Sequence, residues 1–326
     1  INTMATIGNS FLGLADLYKG KDGKGQVADI INMLAQTNGM LNDAIARACN
    51  SGTSHKHSVL SGLPDVAWGK LYTGIPNSKA KRTQVTDTTG FIEGLSTVDC
   101  RLAKLEPNLP AFRLQEAQAY LEAIAQEHQR ALIYGDASTD PEQITGLAPR
   151  FSSLGAENGS QIIDAGGTGS DNTSIWFVTW GTDACHLIYP EGSMAGIERE
   201  DMGKRRVTDS TGAYYVMEEQ FTLNTGITVR DWRKVARVAN IDVSAMLADP
   251  SDIDGSGNSV YDFMRKAYHK LHGKRTVENG TPQGDVSNGN FAIGKTCVYA
   301  NADVLEALDK LGTNSGANDN FIRLRP

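Results

Sequence analysis

Leu114, Ala117, Leu121, Ile124, His128 and Ala131 recur at alternating three- and four-residue steps within AFRLQEAQAYLEAIAQEHQRALIYG. That period predicts a helix over residues 111–134 with this stripe packed, Leu121 and Ile124 at its centre. Arg113, Glu116, Glu122, Glu127 and Arg130 fall on the opposite, solvated face. Pro110 stands at the expected first turn and Gly135 just past the end, where helices tolerate them. About 24 residues at about 1.5 Å each make a rod of about 36 Å.

On either side the pattern changes. VADIINMLAQTNGMLNDAIARA places Val27, Ile30, Ile31, Leu34, Leu41 and Ile45 at helical spacing, broken by Gly39 and preceded by the polar, glycine-rich KGKDGKGQ. Residues 1–50 therefore read as an arm whose apolar stripe needs a surface. Residues 51–100 are rich in Thr, Val and aromatics around the turn cluster GIPNSKAKR, which predicts a long hairpin with Lys79, Lys81 and Arg82 at its tip. A two-stranded hairpin is marginal alone in water, so this one is expected to rest on another surface.

Beyond the rod, SIWFVTW and CHLIYP read as short, strongly apolar strands. EQFTLNTGITVRDW alternates, with Phe221, Leu223, Thr225, Ile227 and Val229 on one face and Gln220, Thr222, Asn224, Thr228 and Arg230 on the other. VARVANID continues as a further strand after a corner at Asp231-Trp232-Arg233. From residue 242 the order is helix, strand, helix. Val260, Phe263, Met264, Ala267 and Leu271 mark a helix stopped at Gly273, TCVYA is the strand, and Leu305, Leu308 and Leu311 mark a helix between Asn301 and Gly312. The class is α+β.

Composition narrows the function classes. With 40% hydrophobic and 21% charged residues the chain is an ordinary folded one, and 326 residues suit two or three lobes. A net charge of −7 with dispersed Lys and Arg argues against an open nucleic-acid-binding surface. Cys49, Cys100, Cys185 and Cys297 are far apart and form no C-x-x-C pair, which reads as buried, reduced thiols. No stretch approaches the roughly 18 apolar residues of a membrane span, and no secretion signal is evident, so synthesis and folding in cytoplasm are expected.

Candidate chemistry is sparse. GNFAIGKT, Gly289–Thr296, fits the nucleotide-binding pattern G-x-x-x-x-G-K-[ST], whose glycines cradle phosphates and whose Lys reaches the outer ones. The context is inverted: a polar loop precedes it and a strand, not a helix, follows the Lys. Lys295 reads as a solvated residue at a strand entrance, and an ATP-using enzyme built on this segment is the alternative function. DPSDIDGSGN places Asp252 and Asp254 as in a calcium loop but has Pro250 at the first ligand position and Tyr261 at the final acid. AGGTGSDN misses the dinucleotide fingerprint at Asn172. His55 and His57 could join a metal site only if a carboxylate came near, and read as the base of the hairpin; His128 reads as a buried imidazole. There is no Gly-x-Ser-x-Gly elbow. No catalytic, cofactor or metal residue is expected.

An arm, a hairpin and a rod that each need a partner surface point to assembly. Here the sequence resembles the major capsid proteins of tailed bacteriophages, in particular the epsilon15-like podophage group. The residues that carry this are the rod followed by YGDASTDPEQITGLAPRF, then IIDAGGTGSDNTSIWFVTWG, IYPEGSMAGIEREDMG, GITVRDWRKVARVANIDVS and CVYANADVLEAL. They cover most of residues 50–312 and are specific together. The resemblance implies an HK97-type capsid subunit, with 1–50 as N-terminal arm, 51–100 as extended loop, 101–241 as peripheral domain (spine helix 111–134, strands 175–241) and 242–326 as axial domain. It implies self-assembly into hexamers and pentamers of an icosahedral shell around double-stranded DNA, with scaffolding, portal and cementing proteins as further partners and Lys79, Lys81 and Arg82 as an inter-subunit contact. Another virion protein, a decoration or tail component, would not need the long rod. Two departures from the family pattern stand out. The strand block precedes the helix–strand–helix, which implies a reordered topology, and relatives commonly carry another strand beyond the position of Pro326.

Overall fold

A computed structural model describes residues 39–314, apart from 70, 73, 75–76, 106–107, 210–211, 272–276, 279–280 and 283–293. Its elements are α1 (Gly39–Asp43), β1 (Ala46–Ala48), β2 (Ser54–Gly62), β3 (Lys81–Thr88), β4 (Gly90–Asp99), α2 (Cys100–Ala103), α3 (Leu109–Tyr134) and α4 (Leu147–Arg150). There follow β5 (Ile162–Asp164), β6 (Asn172–Trp180), β7 (Cys185–Tyr189), β8 (Ile197–Asp209), β9 (Gly212–Val229) and β10 (Val235–Asp242). Last come α5 (Val243–Ala248), α6 (Val260–Lys270), β11 (Val277–Glu278), β12 (Thr281–Pro282), β13 (Lys295–Tyr299) and α7 (Ala302–Asn314).

The predicted rod is α3. Asn108 caps it by accepting from Ala111 N, Pro110 sits in the first turn, and the Gly135 N–H donates to Ala131 O at 2.9 Å. Its face is rotated from the expected register. Ala117, Ile124, His128 and Ala131 are buried, but Leu121 is 37% exposed and Leu114 54%. At about 100° per residue, Leu121 and Leu114 lie about 60° and about 80° round the helix from Ile124. Beneath this part of the helix lie β4 and β9, and Tyr120, about 40° round from Ile124 in the other direction, packs there by stacking on Phe221 with centroids 5.6 Å apart. The two leucines lie on the opposite flank from Tyr120, turned away from that contact.

β9 is the central strand of a long sheet. β4 pairs antiparallel with one side of it from Gly90↔Thr225 to Asp99↔Val216, and β8 pairs with the other from Ile197↔Leu223 to Asp209↔Gly212. The predicted alternation holds up to Thr225. Residues 225–229 are buried on both faces, so Thr228, expected outside, is enclosed. There β9 leaves its pairing with β4 and β8 and pairs with β7 from Cys185↔Val229 to Ile188↔Gly226, continuing the same sheet.

In this part of the sheet β6 lies between β10 and β13, with β5 on the far edge of β10 and β1 on β7. The apolar run SIWFVTW is explained by cover on both faces. Trp176, Val178 and Trp180 pack with Leu132, Leu147 and Phe151, while Ile175 and Phe177 pack with Met246, Phe263 and Val304 from α5, α6 and α7. The helix–strand–helix after residue 242 therefore shares a core with β6 and β10. Through β9, which pairs with both β7 and β8, the strands of the block 175–241 belong to one connected nine-stranded sheet.

Smaller corrections follow from cover as well. The arm's NDAIARA was expected to be helical, yet Ala46–Ala48 forms β1 because the open edge of β7 takes a parallel partner there. Of the arm, residues 1–38 lie outside the described residues. Helix α7 buries Val304, Ala307 and Leu308, leaving Leu305 half exposed. Residues 90–99, expected to complete the hairpin, are β4 of the long sheet.

Candidate functional site

Lys295 is the residue on which nucleotide chemistry would depend. Residues 289–293 of the pattern lie outside the described residues. Gly294 has φ +87°, and a Cβ there would meet Trp180 O at 2.5 Å, so this glycine is needed for a close backbone approach. Lys295 then opens β13, paired with Trp180, where a phosphate loop requires a helix to begin. Its ammonium is engaged by Asp43 of α1, whose other carboxylate oxygen accepts from the Tyr299 hydroxyl at 3.1 Å. Burial pushes the Asp43 carboxyl up, but hydrogen bonds from Lys295, Cys297 and Tyr299 outweigh it and hold the group below the usual range. Tyr299 also accepts from Trp180 Nε1 at 2.7 Å. The lysine clips the arm to the sheet. Lys295→Ala should remove a half-exposed pair and cost at most about 1 kcal/mol. Isothermal titration should detect no saturable ATP binding to either form; an isotherm lost with this substitution would reinstate the phosphate loop.

The acidic turn at 252–258 satisfies itself. Asp254 accepts from Ser256 N, Asn258 N and Asn258 Nδ2, and Asp252 accepts from Gly257 N at 2.8 Å. Among the described residues no three His, Cys, Asp or Glu side chains are placed to hold a metal ion. His128 is buried as expected, with Nε2 2.7 Å from Thr225 Oγ1, and burial lowers its pKa to about 4.

The hairpin is where the molecule presents an unusual surface. Among the described strands β2 and β3 pair only with each other, from Ser54↔Thr88 to Gly62↔Lys81. Lys81 and Arg82 thus sit on the outermost rungs, and Lys79 lies in the connection beyond them; all are exposed. The connection carries a feature the sequence reading missed. Leu63, Val66, Trp68 and Leu71 are each at least 79% exposed, and Leu60 on the adjoining strand is 52% exposed. Such a concentration of large apolar groups in water marks a contact surface. The signal was present in LPDVAWGKLY, but the expectation of strand there assigned these residues to a ladder instead.

The hairpin's root is polar and enclosed. Asp87 of β3 is 4% exposed; it accepts from Arg150 Nη1 of α4 at 2.7 Å and from Thr228 Oγ1 at 2.6 Å. Asn50 brackets Lys56, accepting from its N–H at 2.8 Å and donating to its carbonyl at 2.7 Å. The sequence-predicted pair His55 and His57 lies here, joined by His186 of β7, which spacing could not reveal.

A family model described as major capsid protein GP7 matches residues 22–325. A chain of the near-atomic cryo-EM structure of bacteriophage Epsilon15 is 33% identical, with a TM-score of 0.73 over 99% of this chain and 92% of that one. The capsid of a native GTA particle is 10% identical, with a TM-score of 0.46 over 66% and 94%. The holo-SrpI encapsulin complex from Synechococcus elongatus PCC 7942 is 9% identical, with a TM-score of 0.45 over 66% and 93%. No curated protein matches the sequence.

Proposed function

The chain belongs to the GP7 family of major capsid proteins, and we propose that it assembles into the hexamers and pentamers of an icosahedral phage shell by laying its extended hairpin on a neighbouring copy. That it is a structural subunit of a virion capsid with an HK97-like fold rests on the family match and on the Epsilon15 likeness. The finer reading rests on one observation. The distal hairpin exposes Leu63, Val66, Trp68 and Leu71 beside Lys79, Lys81 and Arg82, with no cover from its own subunit among the described residues.

In this reading β4, β8, β9 and α3 make the peripheral lobe, while β5–β7, β10, β13 and α5–α7 make the axial one. The axial layer then begins soon after the spine helix, the chain leaves it for the β8–β9 hairpin, and it returns at β10. The reordering suggested by the sequence is then not needed. Repeated heterologous contacts around a ring suit a closed shell, and a reaching hairpin enlarges them without enlarging the core. A net charge of −7 suits a wall around packed DNA, since tight phosphate binding would oppose release. Scaffolding, portal and cementing proteins are the expected further partners, and the subunit performs no catalysis.

Reversing Lys79, Lys81 and Arg82 to Glu tests the charged half of the contact. Exposed pairs are worth at most about 1 kcal/mol each, but every copy of the contact repeats them. Sedimentation velocity should show fewer shells while the melting temperature of the free subunit stays within about 2 °C, as surface changes barely alter stability. Normal shells at physiological salt would mean that the hairpin grips through its apolar residues alone.

A further inference from the structure

The root of the hairpin contains more than a fastening needs. His55 and His57 on β2 meet His186 on β7: the rings of His55 and His186 touch edge-on with centroids 5.5 Å apart, and those of His55 and His57 are 6.4 Å apart. His57 is 7% exposed and His186 1%. Both ring nitrogens of each, and Nδ1 of His55, are buried without a hydrogen-bond partner. Folded proteins rarely leave polar atoms so.

The charges around the cluster favour neutral rings. Asp87 of β3 stands 3.9 Å from His57 Nδ1, but it is already committed to Arg150 and Thr228. Arg150 of α4, Arg230 just past β9 and Arg47 of β1 bring positive charge toward the imidazoles, and Arg230 is itself paired with Asp183 at 2.8 Å. A proton on any of these rings would place a cation among guanidiniums in a site with one engaged carboxylate.

We propose that this cluster is a proton-operated latch: protonation of His55, His57 and His186 releases the β2–β3 hairpin from β7 and β9 while the body stays folded. The proposal concerns the subunit itself and goes beyond the shell contacts inferred above. Burial lowers the pKa of all three, with Arg230 adding to the effect, and holds His186 at about 4. A released histidine titrates near about 6.5. The released state therefore binds more protons between those values. The latch is complete above about pH 6.5 and is lost as pH falls toward about 4. His186 alone then shifts the equilibrium roughly fortyfold between pH 6.5 and 4.5, and His55 and His57 act in the same direction.

Hydrogen–deuterium exchange on the full chain, corrected for the intrinsic pH dependence of exchange, tests this from pH 7.5 to 4.5. Peptides covering 54–62 and 81–88 should lose at least tenfold in protection by pH 5, while peptides from β6 and β10 keep theirs. Replacing His55, His57 and His186 together by Gln should flatten the hairpin profile, and Asp87→Asn should leave it pH-dependent. Residue-assigned histidine titration by NMR on the unaltered chain gives a second reading that needs no variant, with the His186 ring titrating at or below about pH 5. The latch is overturned by pH-independent protection, by an unchanged profile in the triple variant, by a profile abolished only with Asp87→Asn, or by His186 titrating near pH 6.5.

Discussion

Ile124→Ala in the free subunit is expected to cost about 2–5 kcal/mol, through lost contacts and an incompletely closed cavity. Ile124 is 4% exposed and packs with Ala117, Phe221 and Leu223 between α3 and the long sheet. A chain whose total stability is of order 5–15 kcal/mol loses a large fraction of it this way, so much of the expressed protein should be insoluble. Leu121→Ala, three residues earlier on the same helix, should cost about 1 kcal/mol, because Leu121 is already 37% exposed and lies outside the packed cluster. Urea denaturation of the soluble fraction, with the yield of soluble protein, separates the two. Equal losses would mean that α3 is rotated from the orientation described. Should Leu121→Ala leave the subunit intact but reduce shell yield, Leu114 and Leu121 would be a surface that a neighbour covers.

The contrast between these two residues shows what could be read from the chain. The existence and ends of α3 were legible because amphipathic period, Asn108, Pro110 and Gly135 all agree. Its register was not. Counting leucines favours Leu114 and Leu121, whereas the docking surface selects Ala117, Tyr120 and Ile124, and Gly94 on β4 leaves room for Tyr120. SIWFVTW was legible as a buried strand but not as the one on which two cores meet. The long hairpin was legible in kind, yet GFIEGLSTVD alternates as the hairpin strands do, so nothing local assigns β4 to β9 instead. The phosphate-loop match could be discounted from its flanks alone, since TCVYA cannot open a helix. Contacts between residues far apart in sequence, such as His55 with His186 or Asp87 with Arg150, leave no trace in spacing.

Glu219→Ala should be the most damaging polar change on the helix-facing side of the long sheet. The Glu219 side chain is 5% exposed and lies between two guanidiniums: Arg113 of α3 contacts it, and Arg199 of β8 donates to both of its oxygens at 2.8 and 2.9 Å. Arg113 also reaches Asp201 at 2.9 Å, and that bond is the main reason its guanidinium is held above its ordinary pKa. Glu219 thus joins the helix to β8 and β9 through one buried carboxylate. Deleting one member of a buried pair costs about 3–5 kcal/mol, chiefly because the charge left behind is no longer compensated. Here about 3 kcal/mol is expected, since Arg199 is nearly half exposed and can turn to water while Arg113 keeps Asp201. Arg199→Ala should cost under about 1 kcal/mol for the same reason, leaving Glu219 with Arg113. Urea titrations at 0.1 and 0.5 M salt check both points. The loss in Glu219→Ala should be nearly independent of salt, because a buried pair is little screened. A loss below about 1 kcal/mol, or one that disappears in high salt, would mean that the helix is held to the sheet by its apolar stripe alone.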